Sequence, residues 1–148
     1  RTLYGSTKQL AERLTTWAGI HPKPTKFSAV RFGNVIESRG NVFEVWDEEL
    51  KNKKPLSITD PLMKRYFFHR DTAVDFILKC LTLTNNGEIF VPKMKLEKVK
   101  DLALKKSKKL KVIGKRPGEK IEEILITKDE EKCSIEKKDM WIIKPNFD

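Results

Sequence analysis

The feature that most constrains this chain is the stretch at residues 26–32, a mostly apolar run closed by Gly33-Asn34 and preceded by Pro22 and Pro24. A strand wetted on one face alternates apolar and polar residues. A mostly apolar one fits the interior of a parallel sheet covered on both sides. Before it, residues 3–17 are predicted to form a helix with Leu10, Leu14 and Trp17 on one face, ended by Gly19. After it come a loop over residues 33–41 and a helix over 42–50 with Val42, Phe43, Val45, Trp46 and Leu50 as its apolar members. Short strands are expected at 56–59 and 65–68, then a helix from an Asp71 N-cap through Leu81 with Ala73, Val74, Ile77, Leu78 and Leu81 inward. Asn85-Asn86-Gly87 turns the chain into a strand at 88–91, followed by a lysine-rich helix in which Leu96, Val99, Leu102 and Ala103 recur at helical spacing. A strand at 111–113, a loop at 114–120, a helical turn at 121–125 and strands at 134–136 and 140–143 complete the reading. Helices and strands alternate, so the expected class is α/β.

At 148 residues the chain is long enough for a proper hydrophobic core. No apolar run approaches the roughly 20 residues of a bilayer-spanning helix, and residues 1–9 carry no apolar signal-peptide core. Cys80 lies in the apolar run 76–81, where a buried free thiol is expected, and with Cys133, His21 and His69 it gives no metal-ligand spacing. No metal is therefore expected, and a reducing, cytoplasmic setting fits. The formal charge is +10, and residues 93–120 carry twelve Lys or Arg against three acids, a net of +9. Such a block invites a nucleic-acid reading. The aromatic interleaving of a single-strand binder is absent there, which leaves the lysines as a solvated helix surface.

Tyr4-Gly5-Ser6-Thr7-Lys8 places a phenol and an ammonium at i and i+4 of a helix, on one face. A nearby cation favours the phenolate, which suits a general acid or base. The ammonium is also suited to ribose hydroxyls. The strand at 26–32 then delivers Gly33 and Asn34 to its C-terminal end, where open α/β sheets hold ligands.

Tyr4 to Lys8, Arg31-Phe32-Gly33-Asn34-Val35, Ser38-Arg39-Gly40, residues 58–67 and Arg116-Pro117-Gly118-Glu119-Lys120 together resemble the extended short-chain dehydrogenases/reductases. Within them the likeness is to the nucleoside-diphosphate-sugar 4,6-dehydratases of polysaccharide biosynthesis, of the inverting UDP-N-acetylglucosamine type. The resemblance implies the C-terminal part of a Rossmann-like parallel sheet plus a small α/β substrate-binding domain. Residues 1–53 would be the tail of the NAD(P)-binding domain, and 54–148 mainly the substrate domain. It implies Tyr4 and Lys8 as catalytic residues, and these two with Phe32, Gly33 and Val35 as contacts to NADP or NAD. Asn34, Arg39, Thr59, Arg65, Arg116 and Glu119 would hold a UDP-sugar, the arginines at the diphosphate and Glu119 at the ribose. The implied reaction passes hydride from the sugar's C4 to the dinucleotide, loses water across C5 and C6, and returns the hydride to C6.

Two positions depart from the subgroup, which usually reads Gly where Glu37 stands and Ser where Asn41 stands. The Gly-rich strand–turn–helix that grips a dinucleotide pyrophosphate has no counterpart in this sequence. A sugar epimerase of the same superfamily, and a non-catalytic basic module binding nucleotides or nucleic acid, are the alternatives. The strand at 26–32 would expose an apolar edge without neighbours, so a homo-oligomer or a partner chain carrying the remaining half is expected.

Overall fold

The computed structural model describes residues 3–21, 24–38 and 40–145. Its elements are α1 (Leu3–Ile20), β1 (Ala29–Val30), β2 (Asn34–Ile36), α2 (Val42–Lys51), β3 (Leu56–Ile58), β4 (Lys64–His69), α3 (Arg70–Leu83), β5 (Ile89–Pro92), β6 (Leu96–Lys98), α4 (Val99–Lys106), β7 (Leu110–Val112), α5 (Lys128–Lys132), β8 (Ser134–Glu136) and β9 (Met140–Ile143). The class is α/β, as expected. Contacts group the chain into two compact units that interleave in sequence: Arg1–Phe32, Val74–Lys93 and Ile124–Asp148 form one, and Gly33–Ala73 with Met94–Glu123 the other.

The first unit is built on a sheet of order β1-β5-β9-β8. β1 runs parallel to β5, with Ala29 opposite Ile89 and Val30 opposite Phe90, and β9 is antiparallel to both β5 and β8. All four residues of β5 are buried, the burial expected of a central strand. Ile89, Val91 and Ile143 form a core against Ala29, Leu125, Ile126 and Trp141. Where seven strand residues were expected at 26–32, only Ala29 and Val30 pair as strand. In α1 the only buried residue is Gly19. A Cβ there would lie 2.4 Å from the Gly87 nitrogen and 2.7 Å from the Phe27 carbonyl, so this glycine permits backbone-to-backbone contact inside the helix and does not end it. The Leu10, Leu14 and Trp17 stripe lies on one face as expected, yet that face is outward, with each side chain more than half exposed.

The second unit holds two small sheets. β2 is parallel to β4 and β4 antiparallel to β6, while β3 pairs in parallel with β7. Its core is Trp46, Leu56, Ile58, Met63, Val99 and Ala103, with Phe43 and Phe67 packed against it. α2 forms where periodicity placed it because Asn41 caps it: Oδ1 accepts from the Phe43 and Glu44 amides. Its apolar face then delivers Trp46, fully buried, with the indole N–H donating 2.7 Å to the Ser57 carbonyl.

Several expectations are corrected. The loop at 33–41 contains β2, which the parallel partner β4 recruits. α3 starts at Arg70, so Asp71 sits in its first turn and interacts with the helix dipole there. α3 buries Ala73, Phe76 and Cys80, while Val74, Ile77, Leu78 and Leu81 are exposed. Two apolar stripes lie side by side on this helix, and packing buries the one carrying Ala73, Phe76 and Cys80. Leu96 belongs to β6, so the lysine-rich helix begins only at Val99. The helical turn expected at 121–125 forms instead at α5, where Thr127 and Glu130 make a reciprocal capping box.

Trp46→Ala removes the largest fully buried side chain and leaves the Ser57 carbonyl without its donor. It should cost about 3–5 kcal/mol. Urea unfolding checks this, and a loss below about 1 kcal/mol would show that Trp46 is not central to the core.

Candidate functional site

In the first unit Tyr4 and Lys8 stand on exposed turns of α1, Tyr4 at 72% exposure. The Lys8 ammonium lies 5.4 Å from the Tyr4 ring centroid, the contact that the i, i+4 spacing predicts. A cation over an aromatic face at an exposed site is worth about 0.5–1 kcal/mol. Phenol and ammonium thus present one donor–acceptor face, which fits a ribose diol and a neighbouring hydroxyl. These residues fit the nicotinamide end of a dinucleotide.

Behind them lies a cluster that sequence reasoning did not single out. The Arg31 guanidinium meets Glu12 of α1 through Nε and Nη2, both at 2.7 Å. It meets Glu130 of α5 through Nη1 at 3.0 Å and Nη2 at 2.7 Å, and Nη1 also donates to the Leu125 carbonyl at 2.8 Å. The three side chains are only 20–27% exposed. Burial alone would disfavour the charged guanidinium, but the bonds and charges of Glu12 and Glu130 outweigh it and hold Arg31 protonated. Burial likewise opposes ionisation of Glu130, yet the bonds from Arg31 and the Thr127 amide win and hold its carboxyl below the ordinary 4.5. These three, with Gln9, Arg13, Thr16, Trp17, Ile20 and Ile89, line an open cleft of about 330 Å³. Burial pushes the Cys80 thiol up to about 11, so it is an inert core residue.

In the second unit Arg65, on β4, is nearly buried at 11% side-chain exposure. Its guanidinium donates to the Lys64, Lys120 and Ile121 carbonyls at 2.7–3.1 Å and lies 3.4 Å from Glu123 and 3.8 Å from Glu119. Glu119 accepts from the Arg116 amide at 3.0 Å, and its own amide closes the Arg116-Pro117-Gly118-Glu119 turn, with Gly118 at φ 80°. Proline second and a left-handed glycine third are what a type II turn requires. Arg65 and Glu119 are therefore brought together, and the same turn holds the Arg116 side chain out in solvent.

Thr59 follows β3 and the Gly114–Glu119 segment follows β7. These strands are parallel, and the Ile113 amide still bonds the Ile58 carbonyl at 2.9 Å, so both segments leave the same C-terminal end. Asn34 opens β2, exposed, with Nδ2 donating to the Tyr66 carbonyl at 3.3 Å. Gly33 has a packing reason to be glycine: a Cβ would lie 2.5 Å from that of Tyr66. Val35 pairs opposite Phe68, and Phe32 is half-buried at the end of the first unit's first segment. Arg39 lies outside the described residues.

Both departures acquire a physical reading. Glu37 adopts φ 69°, the left-handed region in which glycine is unstrained, and its carboxylate faces Arg70 at 3.8 Å. Asn41 and serine are alternative N-cap residues for the same helix. Among the described residues no group of three His, Cys, Asp or Glu could hold a metal, and no helix is long and apolar enough to cross a membrane.

The Tyr-x-x-x-Lys helix and the parallel α/β pairing fit the extended short-chain dehydrogenase/reductase class, and likeness to known proteins assigns the chain to it. Residues 1–145 match the polysaccharide biosynthesis protein family, and the chain belongs to it. An uncharacterized membrane protein of Methanocaldococcus jannaschii is 40% identical over 156 residues, covering 95% of this chain and 47% of its own. The inverting UDP-N-acetylglucosamine 4,6-dehydratase of Campylobacter jejuni is 36% identical over 150 residues, covering 98% of this chain and 45% of its own. The X-ray structure of Pen from Bacillus thuringiensis is similar with a TM-score of 0.87 at 35% identity, over 95% of this chain and 48% of that one. The chain thus spans about half the length of the relatives it matches.

Two outcomes follow from this geometry. Because Glu130 titrates below its ordinary 4.5, its stabilisation is complete above that pH and is lost as pH falls through its lowered folded value. Glu130→Gln should cost about 1–2 kcal/mol at pH 7 and flatten the acid limb of stability where pH falls below the ordinary 4.5. Urea titrations across that range check it; an unchanged acid limb would show that another carboxylate dominates. Glu37→Gly should relieve the left-handed strain and stabilise the chain by about 0.5–1 kcal/mol, read from its melting temperature.

Proposed function

We propose that this chain supplies the sugar-nucleotide-binding part, and the tyrosine helix, of a UDP-N-acetylglucosamine 4,6-dehydratase of polysaccharide or glycan biosynthesis. The observation that carries the reading is the Arg116–Glu119 turn, braced by Arg65 at the C-terminal end of β3 and β7. It holds a carboxylate within one fold-back of an exposed arginine, which suits a ribose diol beside a diphosphate. Likeness to the Campylobacter dehydratase over nearly the whole chain supports the same reading.

Arg116 engages the diphosphate, Glu119 accepts from the uridine ribose, and Thr59 and Asn34 border the nucleotide. Arg65 acts through the turn, since its donors already meet backbone carbonyls. Arg39 is proposed as a further phosphate contact. Tyr4 takes the proton of the sugar's C4 hydroxyl, and Lys8 holds the nicotinamide ribose, with Phe32, Gly33 and Val35 along the cofactor. NADP or NAD, when bound, supplies the hydride acceptor. Oxidation at C4 acidifies the C5 proton, which lets water leave across C5 and C6.

In domain terms, α1 and β1 belong to the cofactor side, and the unit containing β3, β4 and β7 to the substrate side. The expected boundary at residue 53 thereby becomes an interleaved one. The compartment is cytoplasmic. The outward α1 stripe and the edge of β1, unpaired among the described residues, suit a homo-oligomer or a partner carrying the remaining half.

Isothermal titration with UDP-N-acetylglucosamine tests the reading, with UMP and a short single-stranded oligonucleotide as controls. Binding on the order of micromolar to millimolar, weakened about tenfold or more by Arg116→Ala and by Glu119→Ala, is expected. Salt-sensitive binding to the oligonucleotide with none to UDP compounds would replace it with a basic nucleic-acid-binding module.

A further inference from the structure

We infer that Arg31 is the positioning residue of the helix that carries Tyr4 and Lys8. The inference rests on the reading of those two as the reactive pair. Burial holds α1 mainly toward its C-terminal end: its only fully buried residue is Gly19, with Ala18 and Ile20 half-buried beside it. Every residue from Leu3 to Lys8 is exposed, and the apolar stripe of Leu10, Leu14 and Trp17 faces outward. Gly19 pins the far end by backbone contact with Gly87. Between that pin and Tyr4 stands Glu12, two turns beyond Tyr4, gripped by the Arg31 fork at 2.7 Å on both oxygens.

A helix pinned at one end swings about that point. A second attachment at Glu12 removes the swing and fixes the direction in which Tyr4 and Lys8 project. Arg31 can do this because it is itself immobile, directly following β1 with its amide bonded to the Phe90 carbonyl at 2.9 Å. Its other side is locked to Glu130, which the capping box of α5 holds in turn.

The five N–H donors of a guanidinium are all used here: one on Nε, two on Nη1 and two on Nη2. None is left for a phosphate, the usual alternative for an arginine in a nucleotide-binding chain. Lysine carries the same charge but cannot form two parallel bonds to each of two carboxylates. The geometry of the fork is therefore what matters.

Hydrogen exchange of the whole chain at pH 7 tests this. In Arg31→Lys and in Glu12→Gln, amides of residues 8–16 should exchange at least tenfold faster, while those of Phe90 and Val91 stay within twofold. Equal acceleration of both sets, or no change in α1, would overturn the inference. Glu12→Gln leaves Arg31 bonded to Glu130 and Leu125, so it answers even where Arg31→Lys fails to fold. A positional readout accompanies it: nitroxides on Thr7→Cys and on native Cys133, with Cys80→Ala, report the distance from α1 to the end of α5. A narrow distribution that broadens in both variants is expected, and one that stays narrow assigns Arg31 to stability alone. No ligand enters either measurement, so failure here and failure of sugar-nucleotide binding are separate results.

Discussion

Parallel pairing is the constraint on which the arrangement depends. β1 with β5, β2 with β4 and β3 with β7 each run in the same direction, and such pairs cannot be closed by a tight turn. Each needs a crossover, so the chain leaves and returns, and the two compact units come to interleave. The same rule places the chemistry. Within the second unit, the segments that follow the parallel pair β3 and β7 emerge at one C-terminal end, and there stand Thr59 and the Arg116–Glu119 turn. Residues more than fifty positions apart are gathered because their strands are parallel, as the Ile113 to Ile58 bond illustrates.

What could be read from sequence was local. The helix expected at 42–50, the 134–136 and 140–143 strands, and the Tyr4–Lys8 spacing were legible from neighbours within a few residues, and all of them formed. What could not be read was set by distant partners. β2 exists because β4 lies beside it, and nothing between residues 33 and 41 announces that. α3 carries two adjacent apolar stripes, and periodicity gives no reason to choose Ala73, Phe76 and Cys80 over Val74, Ile77, Leu78 and Leu81. Arg31 appeared in a motif, but its acids lie 19 and 99 residues away, and neither stands out in a chain so rich in charge.

Glu37 and Asn41 show how a departure from a subgroup pattern can mislead when judged by charge alone. A carboxylate near an expected diphosphate suggests repulsion. The backbone gives a different account: position 37 needs a left-handed conformation, and the family's glycine meets that need without strain. Glutamate there carries a conformational cost and gains an exposed contact with Arg70, which returns little. Asn41 carries no such cost, since its side chain performs the capping that serine would.

The distribution of ion pairs makes the same point about magnitude. Lys64–Glu122, Lys79–Asp139, Lys93–Glu136, Lys95–Glu97 and Lys106–Asp47 are mostly exposed single contacts. Each is worth about 0–1 kcal/mol and is screened by salt. Contacts of this size do not select a fold. Arg31 differs in kind. Its carboxylates are shielded, its bonds are paired, and its partners come from two different helices, α1 and α5. A chain with abundant lysine uses arginine at this position because only a rigid, planar group can turn charge into direction.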